Sequence, residues 1–485
     1  MLRSAVVGLL VGVALALGAC ATRPIAPDRP PPNVVIIFAD DLGYGDLGCY
    51  GQTRWRTPNI DALAAEGVRL TDFYVAQAVC SASRAALLTG CYPNRVGISG
   101  ALGPRSPIGL NPDEVTIADL CRSRGYATAI FGKWHLGDAP NLLPLNQGFD
   151  EFLGIPYSND MWPFHPDYVK LPADSAGRKR GYPPLPLLKG DGTAVAELSA
   201  ADQAAFTRTF TEEACRFIAR NAERPFFVYV PHPMPHVPIF ASEGFQGRSG
   251  AGTYGDVIEE IDWSVGRVID ELSKHGLREN TLVVFTSDNG PWLSYGDHAG
   301  TTGGLREGKG TSWEGGVRVP CIASWPGVIP RGQTGSAPAM TIDLLPTVAR
   351  AIGAAPHAVD GVDILPMLRG GTAPDRPLAI YYNANDLQAV RSGPWKLVLP
   401  HAFRTLAGPG GVGGTPGAYR QVKTELQLFD LRSDPNETTD VSSLNPSVVE
   451  QLLAQADAFR QDLGDSLTGQ QGAGRRKPGR ADPKD

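Results

Sequence analysis

Positive charge is not in excess: the 485 residues hold 44 Lys and Arg against 50 Asp and Glu, a net charge of -6. A phosphate backbone therefore has no global electrostatic reason to approach, and nucleic acid is excluded as an expected partner. Long apolar runs are also missing from the body of the chain; beyond the extreme N-terminus nothing supplies the roughly 20 consecutive apolar residues of a spanning helix. Cysteine is scarce. The seven, at 20, 49, 80, 91, 121, 215 and 321, include no pair with the C-x-x-C spacing of structural zinc, and no disulfide pairing is assigned. There is no internal repeat. Glycine and proline, by contrast, are abundant at 57 and 42, so loops are long and numerous and carry much of the chemistry. A hydrophobic share of 42% with 8% aromatics excludes wholesale disorder. The length suits one large domain plus a smaller one.

Arg3 precedes an apolar run from Ala5 to Leu17 that is too short to span a bilayer and fits a secretion signal over residues 1–19. The run ends Leu17-Gly18-Ala19-Cys20, which resembles the bacterial lipoprotein box, so Cys20 is expected to become a lipid-bearing N-terminus. Residues 20–32 are Pro-rich and suit a semi-rigid tether. The expectation is an exported periplasmic or cell-envelope lipoprotein that meets the membrane through its lipid anchor only.

Asn33 to Ala39 is a nearly continuous apolar run rich in β-branched residues, the pattern of a strand buried on both faces of a parallel sheet. Thr57-Pro58 opens a helix through Glu66, with an N-cap, Pro at the first turn and Gly67 after it. Further helices are expected from Ser81 to Thr89, from Thr116 with Asp119 bonding back until Gly125, from Ala204 to Asn221 and from Tyr254 to His275. Strands are expected at Tyr126–Phe131, Pro225–Val230 and Thr281–Thr286. This alternation predicts an α/β fold, a large, mainly parallel sheet flanked by helices, over residues 33–377. A smaller α+β unit over 378–466 follows, with strands at Ala379–Tyr382, Ala389–Leu399 and Glu425–Leu431 and a helix at Ser447–Leu463. The polar tail, 467–485, reads as disordered.

Ligands of such sheets bind beyond the carboxyl ends of the strands, and those ends are polar here: Asp40-Asp41, Lys133-Trp134-His135, His232 to His236 and Asp288-Asn289. Asp40-Asp41 alone reads as a solvated turn. Paired with Asp288 and Asn289 it offers four oxygen ligands for a hard divalent cation, Ca²⁺ before Mg²⁺. Cys80 begins a helix, where free N–H groups favour anions, and Arg84 lies one turn on along the same face. A cysteine before an Ala-Leu helix is by itself commonly a small buried hydrophobe. Lys133 and His135, two apart on an extended segment, share a face with Trp134 pointing away.

Cys80-x-Ala82-x-Arg84 followed by Ala85-Ala86-Leu87-Leu88-Thr89-Gly90 resembles the signature of the type I, formylglycine-dependent sulfatases. The resemblance extends over Asn33 to Gly48, Gly132-Lys133-Trp134-His135-Leu136-Gly137, Thr286-Ser287-Asp288-Asn289-Gly290 and Gly308 to Gly316, from about residue 33 to 465. It implies an alkaline-phosphatase-like fold with an antiparallel sheet in the C-terminal unit. It also implies a Ca²⁺ held by Asp40, Asp41, Asp288 and Asn289 beside Cys80, and oxidation of Cys80 to a Cα-formylglycine whose hydrate attacks sulfur. By the same likeness Arg84 and Lys133 hold that hydrate and His135 takes its proton. His236 sits near the leaving-group oxygen, with His232 close by and competing for the assignment. Lys309 binds sulfate and helps protonate the leaving oxygen, and Ser158 contacts the sulfate region. Ala82 stands where the commonest signature has Pro, which leaves the identity of the formylglycine-generating maturation enzyme open.

The expected activity is hydrolysis of aryl or carbohydrate sulfate esters. Two alternatives stand beside it: a phosphonate or phosphodiester hydrolase of the same superfamily, and a non-catalytic lipoprotein that binds sulfated glycans with Cys80 left as a thiol. The substrate is chosen by the loops at Tyr157–Pro186, Ile239–Gly252 and Trp292–Thr302, in which Trp162, Phe164, His165 and Trp292 are candidates to stack on a ring.

Overall fold

The computed structural model describes residues 30–165 and 181–482. The leader, Cys20, most of the tether and part of the Tyr157–Pro186 loop lie outside them. Strand β1 (Asn33–Ala39) is buried along its whole length. Val34, Ile36 and Phe38 enter one apolar core and Val35, Ile37 and Ala39 the other, as a strand with apolar residues on both faces requires. It sits inside a ten-stranded sheet. The other members are β2 (Val68–Leu70), β3 (Ala127–Lys133), β4 (Glu151–Ile155), β5 (Leu187–Lys189), β6 (Gly192–Val195), β7 (Phe226–Pro231), β8 (Thr281–Ser287), β9 (Cys321–Ser324) and β10 (Gln333–Gly335). Across the sheet the order is β10-β2-β9-β8-β1-β7-β3-β4-β5-β6. The inner run β8-β1-β7-β3-β4 is parallel, as expected. β9 pairs antiparallel with both its neighbours, and β5 and β6 form an antiparallel edge. The sheet is therefore mixed and mostly parallel.

Helices α1 (Pro58–Ala65), α2 (Cys80–Thr89), α3 (Ile117–Ser123), α4 (Phe206–Arg220), α5 (Thr253–Lys274) and α6 (Leu344–Ile352) flank it. α1, α4 and α5 bury apolar residues in one core, and α2, α3 and α6 in the other. α3 starts on the expected reciprocal cap, with Thr116 accepting from Asp119 N and Asp119 accepting from Thr116 N.

The C-terminal unit contains β11 (Leu378–Tyr382), β12 (Asp386–Ser392), β13 (Trp395–Val398), the hairpin β14 (His401–Leu406) and β15 (Tyr419–Thr424), then β16 (Gln427–Asp430) and helix α7 (Pro446–Leu463). β11-β12-β13-β16 form the expected antiparallel sheet. Ala389–Leu399, expected as one strand, is two. Gly393, at φ 53°, and Pro394 reverse the chain between them, and proline has no N–H to continue a ladder. The tail also departs from expectation between 467 and 482. Arg476 pairs with Glu114 at 2.7 Å, its N–H donates to Arg95 O, and Gly479–Arg480 form a short antiparallel pairing with Ile108–Gly109. Its polar residues are matched by polar partners distant in sequence, which composition does not reveal.

Among the described residues no helix is long and apolar enough to cross a membrane.

Candidate active site

In-register parallel pairing delivers the polar strand ends to one rim. Phe38 lies opposite both Thr286 and Pro231, and Ala39 opposite Ser287. Asp40 and Asp41 thus leave β1 beside Asp288 and Asn289 leaving β8. The junction is stitched by Asp288 N to Ala39 O at 3.1 Å and by Asp41 N to Asp288 Oδ1 at 3.0 Å. Asp40, Asp41 and Asp288 each bring a carboxylate oxygen within 4.8 Å of the others, and Asp40, Cys80 and His236 form a second such group.

All four candidate ligands are buried, yet Asp40 Oδ1, Asp41 Oδ2 and Asn289 Oδ1 have no hydrogen-bond partner. The Asn289 amide nitrogen donates to Asp41 Oδ1 at 2.6 Å and to Gly290 O at 3.0 Å, which turns its oxygen away from both. Leaving buried oxygens unpaired is costly. Converging carboxylate and amide oxygens are the donor set of a hard divalent cation, so the residues fit the implied metal.

Three cations hold the acids in place. Arg84 lies 3.0 Å from both Asp40 Oδ2 and Asp288 Oδ2 and donates to Lys133 O at 3.1 Å. Its charge is directed at the carboxylates, where the spacing argument aimed it at Cys80. Lys133 Nζ donates to Asp40 Oδ2 and to Ser158 Oγ, the latter at 2.9 Å. Lys309 Nζ stands 2.6 Å from Asp41 Oδ1 and 4.6 Å from the Trp292 ring centre. Burial alone would raise the Asp40 carboxyl, but Lys133 and Arg84 hold it well below the usual range. Burial and the charge of Asp40 push Asp288 up to about 7.

Two motifs distant in sequence meet to place Lys309. Gly290 N donates to Gly316 O at 2.9 Å, and a Cβ on Gly290 would lie 1.8 Å from Gly315 O. Only glycine permits that approach. Lys309 N donates to Pro291 O and Gly310 N to Ala78 O, both at 3.0 Å, which ties the lysine to the residues before Cys80.

Cys80 opens α2, whose ten residues are all buried. Burial pushes its thiol up to about 11 against the pull of Lys133 and Lys309. His135 lines the cleft and Lys133 lies behind it, bonded to Asp40 and to the cleft residue Ser158, while Trp134 is buried and donates to Leu142 O. The reason is not an extended segment. β3 ends at Lys133 and His135 is left-handed, at φ 62°, as is Asp41 at φ 63°. Such backbone is held only where surroundings over-determine it.

His135 Nε2 lies 2.8 Å from Leu102 O and so carries the proton, leaving Nδ1 as a buried acceptor without a partner. Burial and the neighbouring Lys133 keep this imidazole neutral, well below its ordinary range. His236 is likewise lowered by burial and by Lys309; its Nδ1 donates to Val237 O at 2.6 Å and its Nε2 faces Asp41 at 3.7 Å. The choice between His232 and His236 is geometric. His236 lines the cleft, whereas His232 Nε2 meets Ser264 Oγ of α5 at 2.9 Å.

The cleft, about 140 Å³, is lined by Cys80, His135, Ser158, His236 and Lys309 together with Asp160, Met161, Trp292, Tyr382 and Arg404. Of the four proposed stacking residues only Trp292 is among them. Trp162 is buried and donates to Leu198 O, with Phe164 packed on its edge. Sequence reasoning missed Asp160, whose one signal was its place two residues after Ser158. It also missed Tyr382 and Arg404, which come from the C-terminal unit and have no local motif.

A Sulfatase family model matches residues 32–354, and one for the C-terminal region of aryl-sulfatase matches 374–475. Arylsulfatase A of Homo sapiens is 40% identical over 482 residues, covering 94% of this chain and 91% of that protein. N-acetylgalactosamine-6-sulfatase of Canis lupus familiaris is 40% identical over 492 residues, covering 95% and 90%. Among solved structures, PsFucS1 sulfatase from Pseudoalteromonas sp. superposes with a TM-score of 0.79 at 30% identity, covering 89% of this chain and 90% of that one. The sheet, its flanking helices and the C-terminal antiparallel unit are those of the alkaline-phosphatase-like architecture. Likeness that runs through both units makes the chain a member of the sulfatase family and a sulfuric ester hydrolase.

Proposed function

We propose that the chain cleaves sulfate from aryl or carbohydrate esters, using a formylglycine derived from Cys80 and a Ca²⁺ held by Asp40, Asp41, Asp288 and Asn289. The observation that carries this reading is the set of partnerless buried oxygens on Asp40, Asp41 and Asn289 converging beside the Cys80 helix start. When bound, the cation supplies positive charge to sulfate oxygens, and the oxidised side chain supplies a hydrated carbonyl as nucleophile.

The remaining chemistry belongs to ordinary side chains. Neutral His135, with its proton fixed on Nε2 by Leu102 O, presents Nδ1 to accept a proton at pH 7. Lys133 and Arg84 hold the acids in register. Lys309 remains protonated because Asp41 raises its pKa against burial, so it offers N–H donors to sulfate and to the departing oxygen. These side chains are nearly fully buried, which strengthens their electrostatic interactions. The Ala5–Leu17 run and the Leu17-Gly18-Ala19-Cys20 box support export and lipid tethering as part of the same proposal, and a maturation enzyme acting on Cys80 is required.

Matured protein is expected to hydrolyse 4-nitrophenyl sulfate with kcat/KM at least about a hundredfold above that for 4-nitrophenyl phenylphosphonate. Excess chelator is expected to lower the sulfatase rate at least about a hundredfold, with Ca²⁺ restoring it. Preference for the phosphonate, or indifference to metal removal, contradicts the proposal.

A further inference from the structure

Arg404 differs from the other cations at and behind the cleft. Arg84 faces Asp40 and Asp288, Lys133 faces Asp40 and Lys309 faces Asp41. Among the described residues, no carboxylate lies at ion-pair distance from Arg404. Its Nη2 donates to the carbonyl of Lys309 at 2.8 Å, its Nε is buried without a partner, and its guanidinium carbon lies 4.7 Å from the Tyr419 ring centre and 5.8 Å from that of Trp292. The side chain is half-buried and lines the cleft.

The fold holds this cation in position. Arg404 sits on β14, and the loop joining β14 to β15 is bonded to the turn after Trp292. Gly411 N and Gly417 N both donate to Ser294 O, at 2.8 and 2.6 Å, and Gly413 N donates to Asp297 Oδ1 at 2.9 Å. Gly310 makes room, since a Cβ there would lie 2.2 Å from Arg404 Nη2. A partly desolvated guanidinium without a carboxylate partner is costly in the free protein, and an oxyanion arriving in the cleft relieves that cost.

In the sulfatase reading the ester sulfate is held at Lys309 and Cys80, which leaves Arg404, elsewhere on the cleft lining, for another part of the substrate. We propose that Arg404 binds a second anionic group, a carboxylate or a further sulfate, on the alcohol portion, making polyanionic sulfate esters the preferred substrates. This rests on the sulfatase reading above.

The test is calorimetric binding to protein carrying Cys80→Ala, which binds without turnover. The ligands are 4-nitrophenyl sulfate, a phenyl sulfate with a ring carboxylate, and a phenyl disulfate. At least one dianionic ligand is expected to bind about tenfold or more tighter than 4-nitrophenyl sulfate, and which one does so identifies the second anion. Adding Arg404→Gln is expected to bring that ratio near one, while Arg404→Lys retains part of it. The preference also falls as salt rises, a readout that needs no variant at Arg404. Equal weakening of all ligands by Arg404→Gln, an unchanged ratio, no preference in the parent or no measurable dianion binding would overturn the proposal. If the preference holds but matured protein with Cys80 hydrolyses none of the three, the sulfatase reading and the substrate claim fail together, while the second-anion contact at Arg404 stands.

Discussion

Replacing Cys80 by alanine is expected to lower turnover of 4-nitrophenyl sulfate by at least about a thousandfold, because the proposed reaction then loses its covalent nucleophile. The neighbouring groups are committed elsewhere. Lys133 and Arg84 are bound to Asp40, Lys309 faces Asp41, and His135 is fixed by its bond to Leu102 O with Nδ1 placed to take a proton. The fold should survive. α2 has Val79 as an extended N-cap and a left-handed Gly90 at its end, and its bonds do not depend on the Cys80 sulfur; loss of one buried sulfur costs on the order of 1 kcal/mol. Rates and melting curves measured together check this. Residual activity above about a hundredth of the parent value would contradict a covalent role.

Lys396→Met is expected to cost about 3–5 kcal/mol of stability, the penalty for stranding buried charge. Lys396 Nζ lies 2.9 Å from Glu314 Oε1, 2.8 Å from Glu437 Oε1 and donates to Ser312 O at 2.8 Å, all fully buried. Methionine fills the space and leaves two carboxylates facing each other. Burial already pushes Glu437 up to about 7 from 4.5, against the pull of Lys396. A carboxyl raised on folding contributes stability that is present below pH 4.5 and lost as pH climbs through about 7. Removing Lys396 raises Glu437 further and deepens that loss. The variant should therefore fall further below the parent at pH 8 than at pH 5, as urea melts at the two pH values would read. Equal losses at both, or a loss under about 1 kcal/mol, would contradict the network's role. Activity should fall too, because Ser312 and Glu314 follow Lys309 on the same loop and Glu314 N donates to Glu437 Oε2 at 2.7 Å.

What the sequence made legible follows from how local each signal is. The meeting of Asp40, Asp41, Asp288 and Asn289 at one rim was legible because parallel pairing aligns strand ends, and a continuous apolar run ending in acids marks such an end within a few residues. Direction after the strand was not legible. His232 and His236 lie in one segment, and only the path of the chain after β7 turns one to Ser264 and the other to the cleft. The left-handed turn at His135 was hidden for the same reason, since its φ is imposed by packing and not by residue type. Trp162 read as a stacking residue because an aromatic in a loop carries no mark of burial, and its indole bond to Leu198 O spans distant positions. Arg404 and Tyr382 had no motif at all, because a residue that reaches a cleft from another unit is placed by tertiary contact alone.

The proposed chemistry turns on the state of one side chain, and peptide mass spectrometry of catalytically active protein reads it directly. The peptide containing Cys80 should carry an aldehyde in place of the thiol, in a fraction that matches the fraction of active sites. Full activity from protein whose Cys80 is entirely unmodified thiol would contradict it.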